Sequence, residues 1–414
     1  MQICASYWRE KRRPVQTALL GAQQRGNIAP EDSKLNDARI GYFVHDVHDA
    51  TAAKRVRALL AGGADVVVFG FRRTDEPLNK LAGAPVIDLG RTFDARLAQR
   101  AGAVLTSTIR LRRWRTQLSD RTILLARSLE SLLIASAARA HAPGARLIYE
   151  CLDLHRLVMG DGPRSVFLRA VERSMLAQST LTIVSSPAYR DQYFRTRQSY
   201  NGDVLLLENK LLDLSSHAPA PWPPKRVSKV WQIGWFGMVR CQKSLDALDA
   251  LTRRAAGKIE IVTRGRPAYD QFRDFHAQIA ASPFMTFGGP YRAEEIGALY
   301  QNVDFAWCVD FFEEGLNSAI HLPNRIYEGS RWGVIPIALA NTEIAVWLRA
   351  RGVGIVIENV GEALYDAMVT MTPEAFVCHQ AAVRKIPPSD LVHKKEDCQR
   401  LVDCLLGRYA LAEI

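Results

Sequence analysis

Short runs of valine, isoleucine and leucine alternate with stretches of helical spacing along most of this chain. In the first half the runs stand at residues 39–44, 65–71, 85–89, 122–126, 146–150, 180–185 and 203–207. Several are near-continuously apolar, as strands buried on both faces of a parallel sheet must be. Between the first two, Ala53, Val56, Leu59 and Leu60 recur at helical spacing, and Gly62-Gly63 supplies a stop. The unit reads as strand, helix, parallel strand. Residues 215–229 then carry Pro219, Pro221, Pro223 and Pro224, which no regular element continues through. Beyond them the alternation resumes at 230–236, 258–262, 284–287, 303–309, 334–339 and 354–357.

The pattern predicts an α/β protein with two doubly wound, Rossmann-like domains facing a central cleft. The expected divisions are residues 1–214, a proline-rich linker at 215–229, a second domain at 230–388, and a helical tail at 389–414 packing back across the join. Ligands of such sheets sit at the carboxyl ends of the strands and in the cleft between domains.

Composition narrows the class. A chain of 414 residues implies two domains, each of roughly 200 residues. With 48% hydrophobic and 23% charged residues it is not a disordered polymer. Apolar runs such as 131–138 are too short to span a membrane, and the basic first 13 residues lack the apolar stretch of a signal peptide. Seven scattered cysteines without a Cys-x-x-Cys pair predict reduced thiols in a cytoplasmic protein, not a disulfide framework or a zinc site. The excess of 54 basic over 43 acidic residues calls for an anionic partner. No zinc-finger spacing, aromatic RNA-binding strand or basic heptad segment is present, so nucleic acid is not the expected partner.

The chemistry-bearing residues lie just past strand ends in the second half. The run 230–236 leads into Gly237-Met-Val-Arg240-Cys-Gln-Lys243. A glycine there admits a ligand close to the backbone, and Arg240 and Lys243 can both face a diphosphate as the next helix begins. Further on stands Leu322-Pro-Asn324-Arg325-Ile-Tyr-Glu328-Gly329, followed by Trp332-Gly-Val-Ile-Pro336. The spacing predicts a helix starting near Pro323–Asn324. Its carboxylate, Glu328, can accept two ribose hydroxyls, while Asn324 and Arg325 at its amino end meet phosphate.

Together these pieces resemble the nucleotide-binding domain of the GT-B glycosyltransferases, above all the family-four group. That group carries a Gly-x-x-Arg-x-x-Lys turn and a Pro-Asn-Lys/Arg-x-x-Glu helix before Gly-x-Pro. The resemblance covers about residues 230–357. It implies that Gly237, Arg240 and Lys243 hold a diphosphate, that Glu328 binds ribose, and that the segment with Gly288 and Tyr291 holds the base. In the first half, His45-Asp46-Val-His48-Asp49, Lys54-Arg55-Val-Arg57 and Gly70-Phe-Arg72-Arg73 are similar to bacterial exopolysaccharide glycosyltransferases of the succinoglycan type. That likeness implies a hexosyltransferase using a nucleotide-diphosphate sugar, expected to be a UDP-sugar. Its acceptor would be a polyprenyl-diphosphate-linked glycan at the cytoplasmic face of the inner membrane. No cofactor or metal is implied.

One departure bears on mechanism. Retaining members carry a second glutamate eight positions before the ribose glutamate, and Ile320 stands there. Inversion instead requires a base on the acceptor side. Asp153, after the run 146–150, is the first candidate, with His155 nearby and Asp46 in a second cluster. His45, Asp46, His48 and Asp49 are also metal-ligand types, but adjacent ligands on one short loop leave a site incomplete. Arg110-Leu-Arg-Arg-Trp-Arg115 suits an anionic lipid surface. Two other readings remain open at this point: a nucleotide-sugar epimerase on the same fold, and a non-catalytic basic protein binding membrane or nucleic acid.

Overall fold

The computed structural model describes residues 37–93, 97–215 and 230–409. Most of the expected linker and the first 36 residues lie outside the described residues. The first half forms an eight-stranded sheet. Its strands are β1 (Arg39–Val44), β2 (Asp65–Arg72), β3 (Lys80–Leu81), β4 (Ala84–Arg91), β5 (Ile123–Arg127), β6 (Arg146–Cys151), β7 (Leu181–Val184) and β8 (Val204–Leu206). The order is β3-β4-β2-β1-β5-β6-β7-β8, parallel except for the β3–β4 pair. β9 (Leu211–Leu212) leaves this sheet. The second half forms a parallel six-stranded sheet from β10 (Trp231–Val239), β11 (Ile259–Pro267), β12 (Met285–Phe287), β13 (Phe305–Trp307), β14 (Ile335–Leu339) and β15 (Ile355–Ile357). Its order is β12-β11-β10-β13-β14-β15.

Each expected apolar run became a strand because both faces of each sheet are covered by helices. Ile123, Leu124, Leu125 and Ala126 of β5 are all fully buried, an inventory that only a central parallel strand can use. In the first domain the helix Ala50–Ala61 starts at Asp49, whose carboxylate accepts from Thr51 N at 2.8 Å.

The two halves are tied at a second place besides the linker. β9 pairs in parallel with β16 (Val392–His393), the strand that precedes the helix Lys395–Leu406. That last helix lies on Ala50–Ala61, and its Leu401, Val402, Cys404 and Leu405 complete the apolar cluster under β1 and β2. Cys151, Cys241, Cys308, Cys398 and Cys404 are buried free thiols.

Gly62 makes the docking of the last helix possible. A Cβ there would sit 2.3 Å from the Cys398 carbonyl oxygen and 2.6 Å from Val402 Cγ2. Gly62→Ala therefore has to push two helices apart, and the expected loss of stability is about 1–3 kcal/mol. Gly102→Ala is the control, because nothing lies within 4 Å of the added carbon on its helix; it should leave stability unchanged or raise it by up to about 1 kcal/mol. Urea denaturation of the two variants checks both outcomes.

Candidate active site

In both sheets the strand order reverses once, beside β1 and β5 in the first and beside β10 and β13 in the second. Connections leave in opposite directions at such a point, so a crevice opens at the carboxyl ends of those strands. A cavity of about 390 Å³ lies where the crevices meet. His45 and Asp49 beyond β1, Arg127 and Ser128 at β5, and Asp153 beyond β6 line it from the first domain. Gly237 and Arg240 beyond β10, Asp310 beyond β13, Tyr291, and Asn324, Arg325 and Glu328 line it from the second.

On the second domain's side, Gly237 has φ +106°, a backbone state that a side chain would resist, and an added Cβ would face the Tyr291 hydroxyl across 3.9 Å. The glycine thus keeps the backbone of β10 open to the cavity. Arg240 Nη2 is held by Asp310 Oδ2 at 3.0 Å, and the guanidinium lies over the Phe312 ring at 4.6 Å. Burial opposes the charge of Arg240, but Asp310 and Asp153 outweigh it and keep the group above its ordinary pKa. His321 Nε2 stands 3.7 Å from the same Asp310 oxygen. Arg325 Nη1 donates to the Trp307 carbonyl at 3.0 Å.

The helix Asn324–Arg331 begins after Pro323 at the cavity wall, so its first amides open toward the cleft. One turn on, Glu328 accepts from the Tyr300 hydroxyl at 3.3 Å. Burial lifts the Glu328 carboxyl above the usual carboxylate range, with Lys54, Tyr300 and Arg325 pulling the other way. Lys54 belongs to the first domain and is fixed by the carbonyls of Asn209 and Lys210 at 3.2 and 3.1 Å. Burial lowers the Lys54 ammonium to about 8, and Glu328 resists that fall.

The first domain's wall rests on a buried polar network. Tyr42 donates to Glu150 Oε2 at 2.6 Å, Arg55 Nε donates to Oε1, and Arg127 Nη1 reaches the Tyr42 hydroxyl at 3.3 Å. Arg127 also pairs with Asp49 at 3.3 Å, so the cap of the first helix and the end of β5 are one unit. Burial and the neighbouring Arg127 lower His45 to about 4, which keeps the imidazole neutral at physiological pH. Ser128 takes φ +85° at this point, a strained value for a non-glycine residue and of the kind that concentrates at functional sites.

Of the residues singled out in the sequence, Gly237, Arg240, Tyr291, Asn324, Arg325, Glu328 and Asp153 come together around the cavity. Four others stand apart from its lining. Lys243 is the second residue of the helix Gln242–Arg254, whereas Arg240 precedes the Cys241 cap; the two do not share a helix face. Lys243 is bonded to Glu314 at 2.7 Å, with its ammonium 4.3 Å from the centroid of the Phe311 ring. Gly288 lies under the Arg264 side chain, where a Cβ would meet Cδ at 2.5 Å. His155 caps a short helix, its Nδ1 accepting from Leu157 N at 3.2 Å. Asp46 closes a turn onto His48 N at 2.9 Å and faces Arg73 at 3.5 Å. Asp310, His321, Tyr189 and Arg127 went unnoticed in the sequence. Asp310 could have been flagged, since it directly follows the apolar run 303–309.

No protein-family model matches the chain. The succinoglycan biosynthesis protein ExoL of Rhizobium meliloti (strain 1021) is 40% identical over 373 residues, 88% of this chain and 92% of ExoL. Among solved structures, Anabaena Alr3699/HepE in complex with UDP and glucose has a TM-score of 0.65 at 15% identity, over 90% of this chain and 100% of that one. Sucrose-phosphate synthase from Thermosynechococcus elongatus has a TM-score of 0.62 at 12% identity, over 89% and 94% of the two chains. The structural likeness establishes the fold, and the sequence likeness the kinship. This chain belongs to the family of the succinoglycan biosynthesis protein ExoL and has the GT-B fold, two Rossmann-like domains closing on one cleft.

Proposed function

We propose that this protein is a glycosyltransferase that moves a hexose from a UDP-sugar to a lipid-linked glycan in exopolysaccharide biosynthesis. The observation that carries the reading is one cavity with a half-buried carboxylate, Glu328, and a guanidinium, Arg240, on its second-domain wall and Asp153 opposite. Glu328 accepts the ribose hydroxyls. Arg240, Arg325 and the first amides of the helix Asn324–Arg331 receive the diphosphate, whose charge grows as the glycosidic bond breaks. On the far wall Asp153 takes the proton of the acceptor hydroxyl as its oxygen attacks the anomeric carbon from the face opposite the diphosphate. The bond to the diphosphate breaks in the same displacement, so configuration inverts. The epimerase alternative finds no support in the relatives named above.

The surface proposed to meet lipid extends from the exposed arginines of 110–115 onto the helix before them. Leu111 is buried, and Trp114 packs edge-on against Phe69 with centroids 6.5 Å apart, so the apolar members of 110–115 serve the core. Leu105 and Ile109, one turn apart on the helix Leu97–Arg110, are 63% and 71% exposed and lead directly into the arginines. A helix face of this kind lies against anionic lipid. Among the described residues no helix is long and apolar enough to cross a membrane.

Glu328→Gln keeps the side chain's shape and removes its charge. It is expected to weaken UDP binding by about 1.5–3 kcal/mol in calorimetry. Because burial holds this carboxyl above the usual range, the wild type should lose affinity on acidification earlier than an ordinary carboxylate would allow. The variant should lack that limb. Unaltered affinity and an unaltered limb would reduce Glu328 to a structural acid.

Arg240→Ala should lower kcat by a factor of about 10²–10³, as loss of a transition-state charge donor does, while uridine affinity stays the same. Lys243→Ala, at an exposed position, should cost less than Arg240→Ala. The reverse ranking in steady-state kinetics would refute this assignment of the turn.

Asp153→Asn should cut turnover by roughly 10²–10⁴ while sparing donor affinity. A folded variant with near-normal turnover, or a product of retained configuration, would eliminate Asp153 as the base.

A further inference from the structure

A side chain of the second domain reaches across the cleft to Asp153. Asn317 opens a single helical turn, Asn317–Ile320, on the segment leading from Asp310 to the helix Asn324–Arg331. That turn is inserted into the first domain. Ile320 is 7% exposed and belongs to the first domain's apolar cluster with Leu154 and Tyr189, and Ser186 Oγ donates to its carbonyl at 2.6 Å. The residue that replaces a glutamate in the motif therefore has a job of its own: it anchors the turn. Asn317 is 2% exposed. Its Nδ2 donates to Asp153 Oδ1, and its Oδ1 accepts from the Tyr189 hydroxyl at 2.6 Å.

The chemistry fixes which way the amide faces. An ionised carboxylate only accepts, so it must meet the NH2 group, and the amide oxygen is left for the one hydroxyl proton of Tyr189. Asp153 is exposed to the cavity, and among the described residues its Oδ2 has no hydrogen-bond partner. A carboxylate on a loop rotates freely unless one oxygen is held, and misplacement of a reacting group by about 1 Å can cost 10²-fold in rate.

We propose that Asn317 is a positioning residue for acceptor activation, holding one oxygen of Asp153 so that the other faces the acceptor hydroxyl, and doing so only while the turn 317–320 is seated in the first domain. The base is thereby oriented by the same contact that closes the cleft, so activation of the acceptor is coupled to closure over the donor. The inference rests on Asp153 as the base. The charged and titratable groups around Asp153 are His155 on its own loop, Cys151 on β6, Tyr189, Arg240, and Glu313 and His321 on the inserted segment.

Asn317→Asp keeps the shape and sets a second carboxylate against Asp153, with Glu313 close by. Like charges in contact disfavour ionisation, so the acidic limb of the kcat profile should move to higher pH by about one unit or more. Asn317→Ala should lower kcat by about 10–100-fold and leave UDP affinity within about threefold of wild type. Both variants are measured in the full chain with a UDP-hexose and the lipid-linked acceptor, beside Asp153→Asn. If Asp153→Asn abolishes turnover but Asn317→Asp leaves the acidic limb in place, the proposal is overturned and the base assignment stands. If Asp153→Asn keeps turnover, the base assignment itself is lost. Should Asn317→Ala not fold, the near-isosteric Asn317→Asp decides alone, through the position of its limb.

Discussion

Where the order of a parallel sheet reverses, no connection can cover the carboxyl ends of the two central strands. This chain has two such reversals, at β1/β5 and at β10/β13, and they face each other. His45, Ser128, Asp153 and Arg240 are each the first or second residue beyond one of these strands or its neighbour. The topology therefore sets the position of the chemistry before any side chain is chosen, and the side chains decide only which ligand the opening takes.

What keeps the two openings in register is contact between the halves in addition to the linker. The last helix completes the first domain's apolar cluster, β16 pairs with β9, and the turn at Ile320 is buried beside Tyr189. Charges then separate across the cleft. The second domain presents Arg240 and Arg325 with Asp310 between them, while Glu328 stands further along the same wall near Lys54 of the first domain. Beneath the opposite wall, Glu150 accepts from Tyr42 and Arg55 and lies against Arg127. Buried charges of this kind are costly unless fully paired, and their pairing here ties β1, β5, β6 and the first helix together.

The strands were legible because a doubly covered parallel sheet demands uninterrupted apolar runs. The run 122–126 could be little else. Gly237 and the segment from Asn324 to Glu328 were legible because their roles are local: a strand end, a turn, a helix start. Lys243 lies off the cavity lining for a local reason as well, since a cap intervenes between it and Arg240. His155 and Asp46 lie off the cavity lining, and each side chain accepts from a backbone amide two residues on. Asn317, His321 and Tyr189 carry no periodic signal at all. For Asn317 and Tyr189 the meaning comes from contacts spanning more than a hundred residues, such as Tyr189 to Asn317, which no window of sequence contains.

In the proposed reaction a sugar leaves a nucleotide on one wall of the cleft for an acceptor on the other. Incubation of the protein with UDP-hexoses labelled in the sugar, with and without a lipid-linked oligosaccharide extract, measures this directly. Label should enter the organic-soluble fraction with UDP released in equal amount, both only when acceptor is present. Release of UDP or conversion of the sugar at the same rate without acceptor, or binding of UDP with no label transferred across the whole donor panel, would contradict it.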